Sequence, residues 1–104
     1  MKYRVIILSR AEFDEAEIYD YLAERSAAAA QRFIDKVDDT LQRISSTPTP
    51  GIAFHSENPK LAGLRWTKVR DFPKHLIFFR LSGDLIEVAR ILHGARDLAT
   101  VLGE

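Results

Sequence analysis

The sequence predicts an α+β fold, β-α-α-β-β-β, in which an N-terminal strand and a helical hairpin pack on a small, mostly antiparallel sheet. Three observations predict it. A short apolar run opens the 104-residue chain, two consecutive helical periods follow, and the second half holds three strand-like runs separated by tight turns. A chain of this length is expected to form one domain over 1–104, with enough residues to bury a core.

Tyr3–Leu8 (YRVIIL) is rich in β-branched residues and continuous enough for a buried strand. Ser9 and Glu12 have the spacing of a capping box, with acids crowding the first turns as the helix dipole favours. The first helix is expected to reach about Arg25, with an apolar stripe of Ala11, Ile18, Tyr21 and Leu22 that Glu15 interrupts. Ser26 is placed to cap a second helix, which runs to about Ser45. There Ala30, Phe33, Val37, Leu41 and Ile44 recur at spacings of three and four and mark a buried face. The short link between the helices makes them an antiparallel pair.

Residues 45–60 (SSTPTPGIAFHSENPK) read as a surface loop. Strands are then expected at Leu64–Phe72, Lys74–Leu81 and Leu85–Leu92, with turns at Asp71–Pro73 and at Ser82, Gly83 and Asp84. Ala95–Leu102 reads as a short helix or an irregular tail.

Composition narrows the function classes. No apolar run approaches the roughly 20 residues that a membrane helix needs. Val5–Leu8 is too short for a signal-peptide core. Without cysteine, disulfides and thiolate metal sites are excluded. The expectation is a soluble cytoplasmic protein with no membrane partner. The chain has 15 basic and 15 acidic residues, but the acids crowd residues 12–39 while Arg65, Arg70, His75, Arg80, Arg90, His93 and Arg96 lie in the second half. Such asymmetry suits a basic face aimed at an acidic partner, or two halves that neutralise each other in the fold.

His55, His75 and His93 are too scattered to suggest a metal site, and no nucleophile elbow or phosphate-binding glycine loop is present. No metal, cofactor or catalytic residue is therefore assigned. The carboxylates of the first helix read as a solvated face. The closing hairpin, FPKHLIFFRLSGDLIEVARILHGARD, is the remaining candidate. Strict alternation puts Ile86, Val88, Arg90 and Leu92 on one face, with Leu85, Glu87, Ala89, Ile91 and His93 on the other. On the preceding strand His75, Ile77, Phe79 and Leu81 oppose Leu76, Phe78 and Arg80. Arg80 and Arg90 then stand on apolar faces, where each needs a partner. One reading pairs them with first-helix acids such as Glu15, or with Asp97; the other gathers them with His93 and Arg96 into a binding surface. Phe13 falls off the main stripe, either packing under the loop or joining a docking surface.

These elements, in this order, resemble the ParE branch of the ParE/RelE toxin superfamily. The similarity runs from LSRAEFDEAEIYDYLAE through AAAAQRFIDKVDDTLQRISSTP and LAGLRWTKVRDFPKHLIFFRL to IEVARILHGARDL, the most specific piece. The resemblance implies a type II toxin of the kind used in plasmid maintenance, held by a ParD-like antitoxin with a DNA-binding N-terminal domain. ParE toxins inhibit DNA gyrase, whereas RelE relatives cut mRNA on the ribosome. RelE-like nucleases combine lysines and arginines with a C-terminal tyrosine. Here Leu102 stands where that tyrosine is expected, and His75 occupies a central-strand position that carries an arginine there. Zero net charge also suits an RNA binder poorly. The expectation is a non-enzymatic gyrase inhibitor without direct nucleic-acid contact. Its target or antitoxin surface would draw on Arg65, Arg70, His75, Arg80, Arg90, His93, Arg96 and Phe13. The alternatives are a RelE-like mRNA endoribonuclease, with His75 and His93 as acid and base, and a non-toxic antitoxin-binding module.

Overall fold

A computed structural model describes residues 2–95 and 98–103. The chain runs β1 (Arg4–Ile7), α1 (Ser9–Ala23), α2 (Ala27–Ser45), β2 (Ile52–Ala53), β3 (Arg65–Val69), β4 (Phe72–Ser82), β5 (Leu85–His93) and α3 (Leu98–Leu102). The strands form one sheet of order β1-β5-β4-β3-β2. β1 lies parallel to β5, Arg4 opposite Leu85 through Ile7 opposite Val88, and all other pairings are antiparallel. The expected α+β architecture is the observed one.

The α1–α2 hairpin covers one face of this sheet. Its main core joins Phe33, Val37, Leu41 and Ile44 of α2 to Ile77, Phe79, Ile86, Val88 and Ile91 of the sheet. These α2 residues are the ones that its periodicity selects, and Ser26 caps the helix by accepting a hydrogen bond from the Ala29 amide at 3.1 Å. The opposite face carries a smaller cluster, Leu61, Leu64, Phe78 and Leu92, flanked by Phe54, Trp66 and the apolar side of α3.

Four local expectations are corrected. The loop 45–60 contributes a fifth strand, the two-residue β2, which pairs Ile52 with Trp66 and Ala53 with Arg65. Gly51 makes this possible: its φ is +71°, and a Cβ there would lie 2.7 Å from both the Phe79 ring and the Trp66 carbonyl oxygen. The Ser9/Glu12 capping box does not form. Ser9 is already helical, Leu8 holds the N-cap position without a side-chain bond, and the Glu12 amide bonds the Leu8 carbonyl at 3.0 Å. The β3–β4 turn centres on Asp71, at φ 65°, so β4 begins at Phe72 and includes Pro73. Because Pro73 has no N–H to give to a ladder, the register slips there, between Lys68 and Val69 of β3.

The fourth correction matters most. A bulge puts Ala89 out of register: Phe78 pairs with Arg90 but Phe79 pairs with Val88. One extra residue reverses the alternation beyond it. Ile86, Val88 and Ile91 therefore share the helix-covered core, while Leu92 belongs to the other face. Strict alternation fails for β5 and holds for β4.

Candidate functional site

β1 ends at Ile7, with the Leu8 amide bonding the Val88 carbonyl at 3.0 Å, but β5 continues to His93. The outer edge of β5 beyond Val88 thus has no strand beside it. α1 crosses that edge and supplies Asp14 instead. One Asp14 oxygen accepts from the Ile91 amide at 3.0 Å and from Arg90 Nε at 2.7 Å; the other accepts from Arg90 Nη2 at 3.1 Å. The carboxylate takes the place of a strand carbonyl and neutralises Arg90, which reaches it at the strand edge. Only 3% of the Asp14 side chain and 12% of the Arg90 side chain is exposed, so this two-point bond is shielded from water. Arg90 Nη1 also reaches the Val101 carbonyl at 3.4 Å, tying α3 to the same point. The partner of Arg90 is Asp14, not Glu15; Arg96 and Asp97 lie outside the described residues.

Two other arginines hold loops. Arg65 donates to the Pro50 carbonyl at 2.6 Å and the Gly51 carbonyl at 3.0 Å, fixing the chain before β2. Arg80 donates to the carbonyls of Lys60 and Ala62. Arg70 bonds Thr40 Oγ1 through its amide, at 3.0 Å, and leaves an exposed side chain.

His75 and His93 sit directly opposite each other on β4 and β5, on the helix-covered face, with ring centroids 5.1 Å apart. Phe33 and Phe72 pack edge-on against His75, at 5.1 and 6.2 Å. Burial holds the His75 pKa below its ordinary value, and His93 lowers it further. The Ala95 amide donates to His93 Nδ1 at 3.0 Å, so a neutral His93 carries its proton on Nε2. Both histidines border a groove of about 420 Å³ whose other wall is Glu17, Ile18 and Tyr21 of α1.

On the opposite face, Arg10, Lys60, Arg80 and Arg90 ring a second pocket of about 350 Å³, floored by Leu61, Leu64 and Ala89 and closed by Leu102. The sheet thus separates the histidine pair from the arginines. Arg90 and His93 stand three residues apart beyond the bulge, so alternation alone puts them on opposite faces and the expected cluster of the two is not assembled at the strand end; the bulge decides which face each takes. Phe13 does not pack under the loop: it is 53% exposed, with the Arg10 guanidinium 4.9 Å from its ring centroid. Tyr21, expected in the α1 stripe, is 55% exposed, and Asp14 takes the buried place beside Ala11.

Residues 5–98 match the family described as the ParE toxin of the type II toxin–antitoxin system parDE. The chain belongs to the ParE toxin family. Its fold is similar to that of a chromosomal ParDE toxin–antitoxin structure from P. aeruginosa, with a TM-score of 0.69 and 20% identity over 88% of this chain and 96% of that one. No curated protein sequence matches it. In this ParE-family chain, sequence reasoning missed Asp14, Arg10 and Lys60. Asp14 left a readable trace, since 11, 14, 18 and 22 continue one helical stripe and a carboxylate inside such a stripe calls for a buried cation. Arg10 and Lys60 left none, because only the fold brings them beside Arg80. Among the described residues no cluster of His, Asp and Glu is arranged to hold a metal, and no helix is long and apolar enough to cross a membrane.

Proposed function

We propose that this ParE-family toxin acts by binding DNA gyrase rather than by catalysis, and that a cognate ParD-like antitoxin neutralises it. One observation carries the choice between gyrase and the ribosome: the sheet divides the histidine pair from the arginine-rich pocket. Cutting RNA needs an acid–base pair beside cations that stabilise the charge developing on phosphate. The described residues that line the arginine-rich pocket include no histidine, tyrosine or carboxylate, and Leu102 stands there. The charged residues that line the histidine groove are Asp14 and Glu17, which would repel a phosphate. Arg65, Arg80 and Arg90 are already engaged by carbonyls and by Asp14. A protein surface that recognises another protein needs none of this chemistry. Exposed Phe13 and Tyr21 on α1 give it apolar anchors of the kind that protein interfaces use.

A supercoiling assay with purified gyrase tests the proposal. Inhibition of supercoiling with accumulation of cleaved DNA, relieved by the antitoxin, is expected. Unimpaired gyrase, together with cleavage of ribosome-bound mRNA that is lost on His75→Ala, would overturn it.

A further inference from the structure

We propose that the face of the sheet opposite the α1–α2 hairpin is a two-part peptide site, taking an apolar side chain and a carboxylate from one short segment of the antitoxin. The inference rests on the toxin–antitoxin reading above and assigns a place and a chemistry to the contact. Leu76, Phe78 and Arg80 follow one another on the same side of β4, two residues apart, so neighbours are separated by about 7 Å. At the Leu76–Phe78 end, Phe54, Trp66 and Leu98 complete an apolar slot of about 180 Å³ with almost no polar lining. The Phe54 ring meets Phe78 edge-on at 5.7 Å, which gives the slot a stiff aromatic wall. That volume suits one Leu-sized or Phe-sized side chain.

At the Arg80 end, the basic pocket is short of acid. Asp14 is already held by Arg90 at 2.7 Å and lies 3.9 Å from Arg10. Glu87 is paired in register with Arg80 on β5 but forms no ion pair with it. Lys60 is exposed, and its ammonium is unpaired among the described residues. Arg80 gives Nε and Nη2 to loop carbonyls, which fixes its fork and leaves Nη1 available. A carboxylate entering here meets Lys60, Arg10 and a pre-oriented Arg80, with apolar Leu61, Leu64 and Ala89 beneath it. The charge complementarity selects an acidic occupant, and the adjoining slot requires an apolar residue within about four positions of the acid in an extended segment. The acidic hairpin on the other side of the sheet offers no such pairing.

The test measures binding of the purified antitoxin to wild-type toxin, Lys60→Glu, Arg10→Gln/Lys60→Glu and a control on α2 across the sheet, Arg43→Glu, at low and physiological salt. Each replaced residue is exposed, and matching thermal melts verify folding. The expected result is a loss of about tenfold or more for the double variant, most of it at low salt, with the control unchanged. Unaltered affinity of the double variant for an antitoxin that binds the wild type would overturn this site while leaving the toxin–antitoxin reading intact. Failure of the antitoxin to bind wild-type toxin would overturn both. A uridine dodecamer that binds the wild type at physiological salt and is lost with Lys60→Glu would assign the face to nucleic acid instead, and so overturn the peptide site.

Discussion

Asp14→Ala removes three hydrogen bonds at once, two from Arg90 and one from the Ile91 amide. It leaves a guanidinium with little access to water and a sheet-edge N–H with no acceptor. Breaking a buried ion pair by deleting one partner costs about 3–5 kcal/mol, because the surviving charge is uncompensated. The edge amide adds to this only in part, since water can enter the vacated space. A domain of this size has about 5–15 kcal/mol of stability in all, so the variant is expected to lose roughly a fifth of it or more. At roughly 4–8 °C per kcal/mol, the melting temperature should fall by on the order of 12–40 °C. Urea unfolding followed by circular dichroism reads the change directly. The double variant Asp14→Ala/Arg90→Met separates the charge from the packing. With no cation left stranded, it should recover at least 1–2 kcal/mol relative to Asp14→Ala alone. A single variant within about 1 kcal/mol of wild type, or a double variant no better than the single, would refute the reasoning.

Other outcomes follow from the same geometry. Gly51→Ala should cost about 1–3 kcal/mol by denaturant titration, since the left-handed φ and the Trp66 carbonyl 2.7 Å from the new Cβ both resist it. His75 has a lowered pKa, so the folded state resists its protonation. Wild-type stability should decline as pH falls through 6.5, the unperturbed value, toward the folded pKa, and His75→Phe should remove that part of the profile in melts at successive pH values. Burial, with Asp38 and then Glu12, raises the Glu15 pKa, so its charge disfavours the fold above that raised pKa and the penalty is relieved as pH falls through it. Glu15→Gln should therefore stabilise the protein at pH 7, by about a few tenths of a kcal/mol because the site is partly open to water, and lose that advantage in acid. Phe13→Ser should leave the melting temperature nearly unchanged, because the ring is exposed, yet weaken binding to whichever partner covers α1.

The parts of the fold legible in the sequence are those with a strong period. The α2 stripe from Ala30 to Ile44 is buried as its spacing requires, and the alternation of β4 from His75 to Leu81 is kept. What was not legible depends on long-range contact. A bulge leaves no local signal in VAR, yet it reverses the second half of β5, sending Arg90 to the face away from the helices and His93 to the helix-covered one. β2 exists because Gly51 lets the chain pass close to Phe79 and Trp66, residues that lie beyond the next turn. The capping box failed because β1 hands over directly to α1 at Leu8, which leaves Ser9 inside the helix. For the candidate surface, the sequence marked Arg80 and Arg90 as residues in need of partners. It could not say that Arg65 and Arg80 would find them in loop carbonyls and Arg90 in Asp14.

The central claim is that the toxin poisons gyrase without cutting RNA. The most direct measurement in cells is plasmid topology, taken within one generation of inducing the chain, alongside the integrity of an abundant mRNA. Relaxed plasmid, with linear DNA covalently held by protein and intact message, is the predicted result. Growth arrest with normal supercoiling and cleaved message would contradict it.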